Sequence, residues 1–225
     1  MPGSGIQFDA VIFDLDGTLA DSGADIAAAL ERAFRDVGRT PTVDVRSLVD
    51  GSPLEEIFAA SVPGGTPHEL RRFVDSYRKH YHDRLVVETR LYPGVRETLE
   101  ALGALRPRVR LAVASSKRQQ TAQDLLRALE VEDFFDAITG SGASTMPPKP
   151  APDLLLHTAS ALGVSPSRSL MIGDTPRDIV AGRRAGMRTA AVTYGFGSAD
   201  AIAQAGADYV FEEIDELLIV LGMRE

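Results

Sequence analysis

The sequence predicts an α/β protein: a doubly wound parallel-sheet, Rossmann-like core into which a wholly helical segment is inserted. Three observations carry this. From about residue 91 onward, short apolar runs alternate with runs of helical period, the pattern of a parallel sheet covered on both faces. A further strand-like apolar run lies far upstream, at residues 8–14. Between them, residues 22–88 show helical periodicity and no convincing strand. The expected division is a core of residues 1–20 and 90–225, with a helical unit of residues 21–89 inserted after the first core strand.

The elements follow in order. After Asp21-Ser22, Ile26, Leu30, Ala33, Phe34 and Val37 recur at three- and four-residue steps, and Gly38 closes the helix. A second helix starts near Pro53. Thr66 is placed to N-cap a third, beginning at Pro67 and reaching about Leu85, and four helices in all are expected in this segment. Beyond Tyr92-Pro93-Gly94 the expected helices are 95–105, 119–129, 152–162, 179–185, 199–205 and 214–221. The strands between them are 109–114, 137–139, 169–173, 189–193 and 209–211.

Composition narrows the function. The chain has 225 residues, 44% hydrophobic and 25% charged, as in ordinary globular proteins. A net charge of -8 speaks against a general nucleic-acid-binding surface. There is no cysteine, so disulfides, thiolate catalysis and Cys-bound zinc are excluded. Met1-Pro2-Gly3-Ser4-Gly5 lacks the charged start and apolar stretch of a signal peptide, and no apolar run reaches membrane-spanning length. A cytoplasmic protein without membrane partners is expected. Only three of the 24 basic residues are lysines, Lys79, Lys117 and Lys149, and the last two fall in motifs.

Four chemical stations lie at or after predicted strand ends. Asp14 and Asp16 stand two apart where the first strand runs into Gly17-Thr18. Residues i and i+2 of a strand share a face, and the C-terminal edge of an open α/β sheet is its usual ligand site. The alternative is a strand ending in solvated acids. Ser115-Ser116-Lys117 follows the strand ending at Ala114. The Ser115 hydroxyl suits a phosphate oxygen, or an ordinary helix N-cap. Lys149, among prolines, suits a phosphoryl group, or a solvated loop. In Gly173-Asp174-Thr175-Pro176-Arg177-Asp178, Asp174 suits a hard cation such as Mg²⁺ shared with Asp14, or caps a helix. Asp178 suits a role in orienting a metal-bound water, or is an exposed helix acid.

Taken together and in this order, Asp-x-Asp-Gly-Thr, the post-strand Ser, the Pro-flanked Lys and Gly-Asp-x-x-x-Asp resemble the haloacid dehalogenase (HAD) superfamily over essentially the whole chain. The inserted helical segment is similar to that family's small cap. Phe13-Asp14-Leu15-Asp16-Gly17-Thr18-Leu19 and Gly206-Ala207-Asp208-Tyr209-Val210 look most like its phosphoglycolate-phosphatase-type members. The resemblance implies a Mg²⁺-dependent phosphatase of a small phosphorylated metabolite, such as 2-phosphoglycolate. Asp14 would be the nucleophile and Asp16 the general acid and base. Asp14, the Asp16 carbonyl and Asp174 would hold Mg²⁺. Ser115 and Lys149 would hold the phosphoryl group, with Ser116 among the substrate contacts and Lys117 in a supporting role at a helix entry. Asp178 would act from outside the ligand set.

Departures from the family pattern are small. Ser115 stands where many relatives carry Thr, and Gly23-Ala24 where they often have a proline before Asp25. The acid at Asp16 argues against the dehalogenase and phosphonate-cleaving branches, which lack it. In Asp50-Gly51-Ser52-Pro53-Leu54, Gly51 permits close approach and Ser52 can hydrogen-bond a substrate, or the segment is a plain turn before a helix. No Arg lies between Asp50 and Phe58, which disfavours a sugar phosphomutase, the main alternative. A non-catalytic regulatory module is the other alternative, and no catalytic residue is missing to support it. The cluster Arg78 to Arg84 reads as a solvated helix face over Tyr77 and Tyr81, and the four histidines form no metal-ligand set.

Overall fold

A computed structural model describes residues 7–142 and 146–224, so Met1–Gly5 lies outside the described residues. Two compact units emerge, Met1–Ala20 with Leu91–Glu225, and Asp21–Arg90.

The first unit is built on a six-stranded sheet. Its strands are β1 (Ala10–Phe13), β4 (Arg110–Arg118), β5 (Ala137–Ser141), β6 (Ser169–Gly173), β7 (Arg188–Val192) and β8 (Tyr209–Phe211), in the spatial order β5-β4-β1-β6-β7-β8. Every pairing is parallel. Such strands are apolar on both faces because helices cover both. Thus Ala10 to Phe13 are all buried. On one face Ile12, Ala112 and Met171 pack with Leu154, Leu155 and Ala159 of α6 (Asp153–Leu162) and Ala181 of α7 (Pro176–Arg184). Phe13 points the other way, its ring edge-on to Phe135 at 6.2 Å. The remaining helices of this unit are α4 (Val95–Gly103), α5 (Gln119–Ala128), α8 (Ala199–Ala205) and α9 (Leu217–Val220). Chain order reverses at β1: one branch runs out through β4 and β5, the other through β6, β7 and β8. The crevice between the β1 and β6 C-termini is therefore the topological switch point, where such sheets bind ligands.

The second unit holds α1 (Gly23–Asp36), α2 (Leu54–Ser61) and α3 (Pro67–Asp83). Their apolar stripes meet in a separate core of Leu30, Phe34, Phe58 and Phe73, with Phe34 and Phe73 rings 4.6 Å apart. Thr66 caps α3 as the sequence indicates. Its hydroxyl accepts from Glu69 N–H at 3.2 Å while the Glu69 carboxylate accepts from Thr66 N–H at 2.8 Å. Tyr77 and Tyr81 stack at 5.7 Å, and Lys79 pairs with Asp83 on the exposed face. Two short strands, β2 (Ala20–Asp21) and β3 (Arg90–Leu91), pair where the chain leaves and re-enters the sheet unit.

Several expected boundaries move. The helical segment has three α-helices, and its fourth expected helix is a 3-10 turn at Val45–Leu48. α3 stops at Asp83, short of Leu85. β4 continues to Arg118, so Ser115-Ser116-Lys117 lies inside a strand rather than after it, and Ser115 is not a helix N-cap. α7 starts at Pro176 instead of 179, which puts Asp178 in its first turn. The last helix is split into a 3-10 turn, Ile214–Glu216, and α9. Among the described residues no helix is long and apolar enough to cross a membrane.

Candidate active site

Asp14 follows the last residue of β1, and Asp174 follows the last of β6, so the two acids flank the switch point. The Asp14 N–H donates to Ile172 C=O at 2.8 Å, which continues the sheet ladder into the site. Leu15 C=O then accepts from the N–H groups of Leu19 and Ala20, winding Asp16-Gly17-Thr18 into a tight turn. Gly17 sits at φ +84, and a Cβ there would lie 2.1 Å from Asp174 Oδ2. Only glycine meets both demands.

Lys149 reaches this point from the loop beyond β5. Its Nζ donates to Asp14 Oδ1 and Asp178 Oδ1, both at 2.5 Å, and to Ala114 C=O at 3.1 Å. Lys149 is buried, so it is no solvated loop lysine. Arg177 and Arg184 of α7 donate to the carbonyls of Lys149 and Pro150 and hold that loop. Asp178 is buried too, and so is no exposed helix acid. Its Oδ2 accepts from the Thr175 N–H at 3.1 Å and hydroxyl at 2.6 Å. Gly173 leaves room for this, since a Cβ there would stand 2.2 Å from Asp178 Cβ.

The electrostatics are those of a cluster short of positive charge. Burial pushes the Asp14 carboxyl up to about 7; the Lys149 charge opposes this, and the Asp178 and Asp16 charges add to it. Burial also raises Asp174 well above the carboxylate range, helped by Asp178 and Asp14 and opposed by a hydrogen bond from Phe196 N–H. Burial works against the Lys149 charge, but Asp14 and Asp178 outweigh it and hold the ammonium above the usual lysine range. Carboxylate oxygens of Asp14, Asp174 and Asp178 lie within 4.8 Å of one another. The one ammonium, on Lys149, pairs with Asp14 and Asp178, so with all three carboxylates ionised this group of four side chains would be two positive charges short. Hard oxygen donors with that deficit fit a divalent cation such as Mg²⁺.

Asp16 stands one step outward. Its carboxylate is 19% exposed, against 3% for Asp178, and its Oδ2 pairs with Lys117 Nζ at 3.0 Å. Lys117, directly before the Arg118 N-cap of α5, thus stands at the helix entry with Asp16 as its partner. Ser115 is buried on β4, next to the Ala114 carbonyl that Lys149 touches, and its Oγ accepts from Lys117 N–H at 3.2 Å. Ser116 points into a half-buried position, with its carbonyl accepting from the Ser141 hydroxyl. Hydrogen bonds therefore join Asp14, Lys149 and Asp178, the Asp174 carboxylate lies within 4.8 Å of both acids, and Asp16, Lys117 and Ser115 stand along the edge. Gly51 and Ser52 belong to the helical unit. Gly51 has φ +76, and Ser52 N–H donates to Asp50 Oδ1 at 2.9 Å, forming an Asx turn.

Sequence reasoning passed over Thr18, Thr175 and the segment 193–198. Thr18 Oγ1 donates to Asp174 Oδ1 at 3.3 Å, and Phe196 N–H donates to Asp174 Oδ2 at 2.7 Å. A signal was present: Tyr194-Gly195-Phe196-Gly197 places two glycines directly after a strand, the mark of close backbone approach.

Comparison with known proteins agrees with this architecture. The family model described as "Haloacid dehalogenase-like hydrolase" matches residues 11–192. A phosphoglycolate phosphatase of Nitrosospira multiformis is 35% identical over 94% of this chain and 94% of its own. A pyrophosphatase of Halalkalibacterium halodurans is 31% identical over 97% of this chain and 99% of its own. A solved haloacid dehalogenase-like family protein from Streptococcus pneumoniae superposes with a TM-score of 0.83 at 30% identity, covering 95% of this chain and 98% of that one.

Proposed function

Because the chain belongs to the haloacid dehalogenase-like hydrolases and is a phosphatase of their phosphoglycolate-phosphatase-like subgroup, we propose that it hydrolyses a small phosphomonoester through a phosphoryl group carried on Asp14. The observation that carries this reading is the buried bridge from Lys149 Nζ to Asp14 Oδ1 and Asp178 Oδ1 beside Asp174.

In this reading Asp14 and Asp174, with the Asp16 carbonyl, hold Mg²⁺. When bound, the cation neutralises charge between the Asp14 carboxylate and the incoming phosphoryl oxygens. Lys149 keeps the Asp14 oxygens oriented and adds charge that stabilises the transferring group. A carboxylate oxygen of Asp14 attacks phosphorus, and the bond from phosphorus to the substrate's ester oxygen breaks. Asp16 gives its proton to that oxygen, and the alcohol leaves. Water then attacks the phosphorus; Asp16 takes the water's proton, phosphate departs, and Asp14 is regenerated. Ser115 hydrogen-bonds a phosphoryl oxygen, with Ser116 as a further contact. Asp178 acts through Lys149, fixing its ammonium. The helical unit 21–89 serves as the cap, and Gly51 and Ser52 are its candidates for substrate recognition.

For the substrate, 2-phosphoglycolate has the support of the relatives' names. The test is a phosphate-release screen with Mg²⁺ over phosphorylated metabolites, 2-phosphoglycolate and inorganic diphosphate included. A small phosphomonoester is expected to lead, and Asp14→Asn to remove the activity. Diphosphate alone as substrate would contradict the phosphomonoester reading. Bisphosphate-primed interconversion of sugar phosphates without net phosphate release would make the protein a mutase instead.

A further inference from the structure

Residues 193–198 leave β7 and turn back over the end of β6, where Asp174 lies. Three glycines surround that one residue. A Cβ on Gly195 would lie 2.3 Å from both Asp174 Cβ and the Gly17 carbonyl oxygen. One on Gly197 would lie 2.0 Å from the Asp174 carbonyl oxygen, and one on Gly17 would lie 2.1 Å from Asp174 Oδ2. Gly17 has positive φ, but Gly195 and Gly197 are not among the positive-φ glycines. Glycine is required at 195 and 197 by space alone.

The same contacts orient the carboxylate. Phe196 N–H holds Oδ2 at 2.7 Å, and Thr18 Oγ1 holds Oδ1 at 3.3 Å. The Tyr194 hydroxyl donates to Thr18 C=O at 2.9 Å, and its ring packs on Tyr92 with centroids 4.6 Å apart. The loop is thus tied to the Gly17-Thr18 turn on one side and to Asp174 on the other. A carboxylate has about four lone-pair sites. With one site on each oxygen taken, its plane is fixed, and the remaining sites are presented in set directions.

We propose that the segment 193–198 is a positioning loop for Asp174, in which Gly195 and Gly197 let the Phe196 N–H and the Thr18 hydroxyl lock the carboxylate for cation binding. This rests on the reading of Asp174 as a cation ligand. Partners that orient metal ligands typically change metal affinity by about 10- to 100-fold when lost.

The test is calorimetric titration of substrate-free protein with Mg²⁺, alongside the melting temperature without Mg²⁺. Gly195→Ala is expected to weaken Mg²⁺ binding by about 10-fold or more. Thr18→Val, which removes only the hydroxyl, should weaken it several-fold, and Thr18→Ser should restore it. Gly103→Ala, in α4 with no atom near its added Cβ, should bind as the wild type does. If Gly195→Ala does not fold, the Thr18 pair decides. Wild-type affinity in Gly195→Ala and Thr18→Val, or an equal loss in Gly103→Ala, would overturn the positioning loop. A wild-type protein that binds no divalent cation would overturn the Asp174 reading itself.

Discussion

Lys149 is the residue on which the site's charge depends. It touches two carboxylates and a carbonyl, and its own burial is tolerable only because of them. Lys149→Met is therefore expected to act twice. Leaving Asp14 and Asp178 buried without their partner should cost about 3–5 kcal/mol in denaturant unfolding. Loss of the ammonium from the transferring group should lower kcat by about 10²–10³-fold, read by phosphate release from whatever variant remains folded. At this scale the sequence was legible where chemistry comes in short motifs. Asp14, Asp16, Asp174, Asp178 and Lys149 were all marked by their neighbours in the chain. The partner choices were not. That Lys117 pairs with Asp16, or that Phe196 N–H reaches Asp174, depends on strands brought together from distant segments, and no local pattern encodes it.

Asp25 shows how a single element is tied down. Its Oδ2 accepts from the N–H groups of Val87, Glu88 and Thr89 at 2.9–3.0 Å and from the Thr89 hydroxyl at 2.7 Å, fixing α1 to the chain after α3. Burial alone would raise its pKa, but these four bonds outweigh burial and hold the carboxyl below 3.8. A depressed folded pKa means stability present above the unfolded value and lost as pH falls through the folded one. Asp25→Asn is thus expected to lower urea stability at pH 7, by about 1–3 kcal/mol. The gap from wild type should shrink as pH falls below 3.8; a constant gap would contradict the assignment. Thr66→Ala should cost about 1 kcal/mol through loss of the α3 cap. The starts of α1, α2 and α3 were readable because caps and prolines are local, whereas α7 begins at Pro176, three residues before the expected 179. The end of β4 was not readable: polar Ser115-Ser116-Lys117 looks like loop, yet the strand continues because Ser115 and Arg118 pair with Gly140 and Ser141 of β5, a partner distant in sequence.

At the scale of the molecule, the alternation of strands and helices was enough to give the doubly wound sheet, since parallel strands require crossovers. The two units have separate cores. Phe73→Ala, which opens the Phe34–Phe58–Phe73 cluster, should cost about 3–5 kcal/mol. Hydrogen exchange should show protection falling first within Asp21–Arg90, while β1, β4 and β6 stay protected. Chelation should likewise read out globally. A cation bound to the folded state alone at 100-fold its Kd adds about 2.7 kcal/mol, so Mg²⁺ should raise Tm and Asp174→Asn should remove that rise. In the proposed function, these segments converge to make one carboxylate, that of Asp14, an acceptor for phosphorus. The direct measurement is an acid-quenched single turnover with 2-phosphoglycolate and Mg²⁺, followed by peptide mapping by mass spectrometry. A phosphoryl adduct is expected on the peptide containing Asp14, absent in Asp14→Asn, if Asp14 is the nucleophile. Undiminished turnover in Asp14→Asn, or an adduct on another residue, would contradict it.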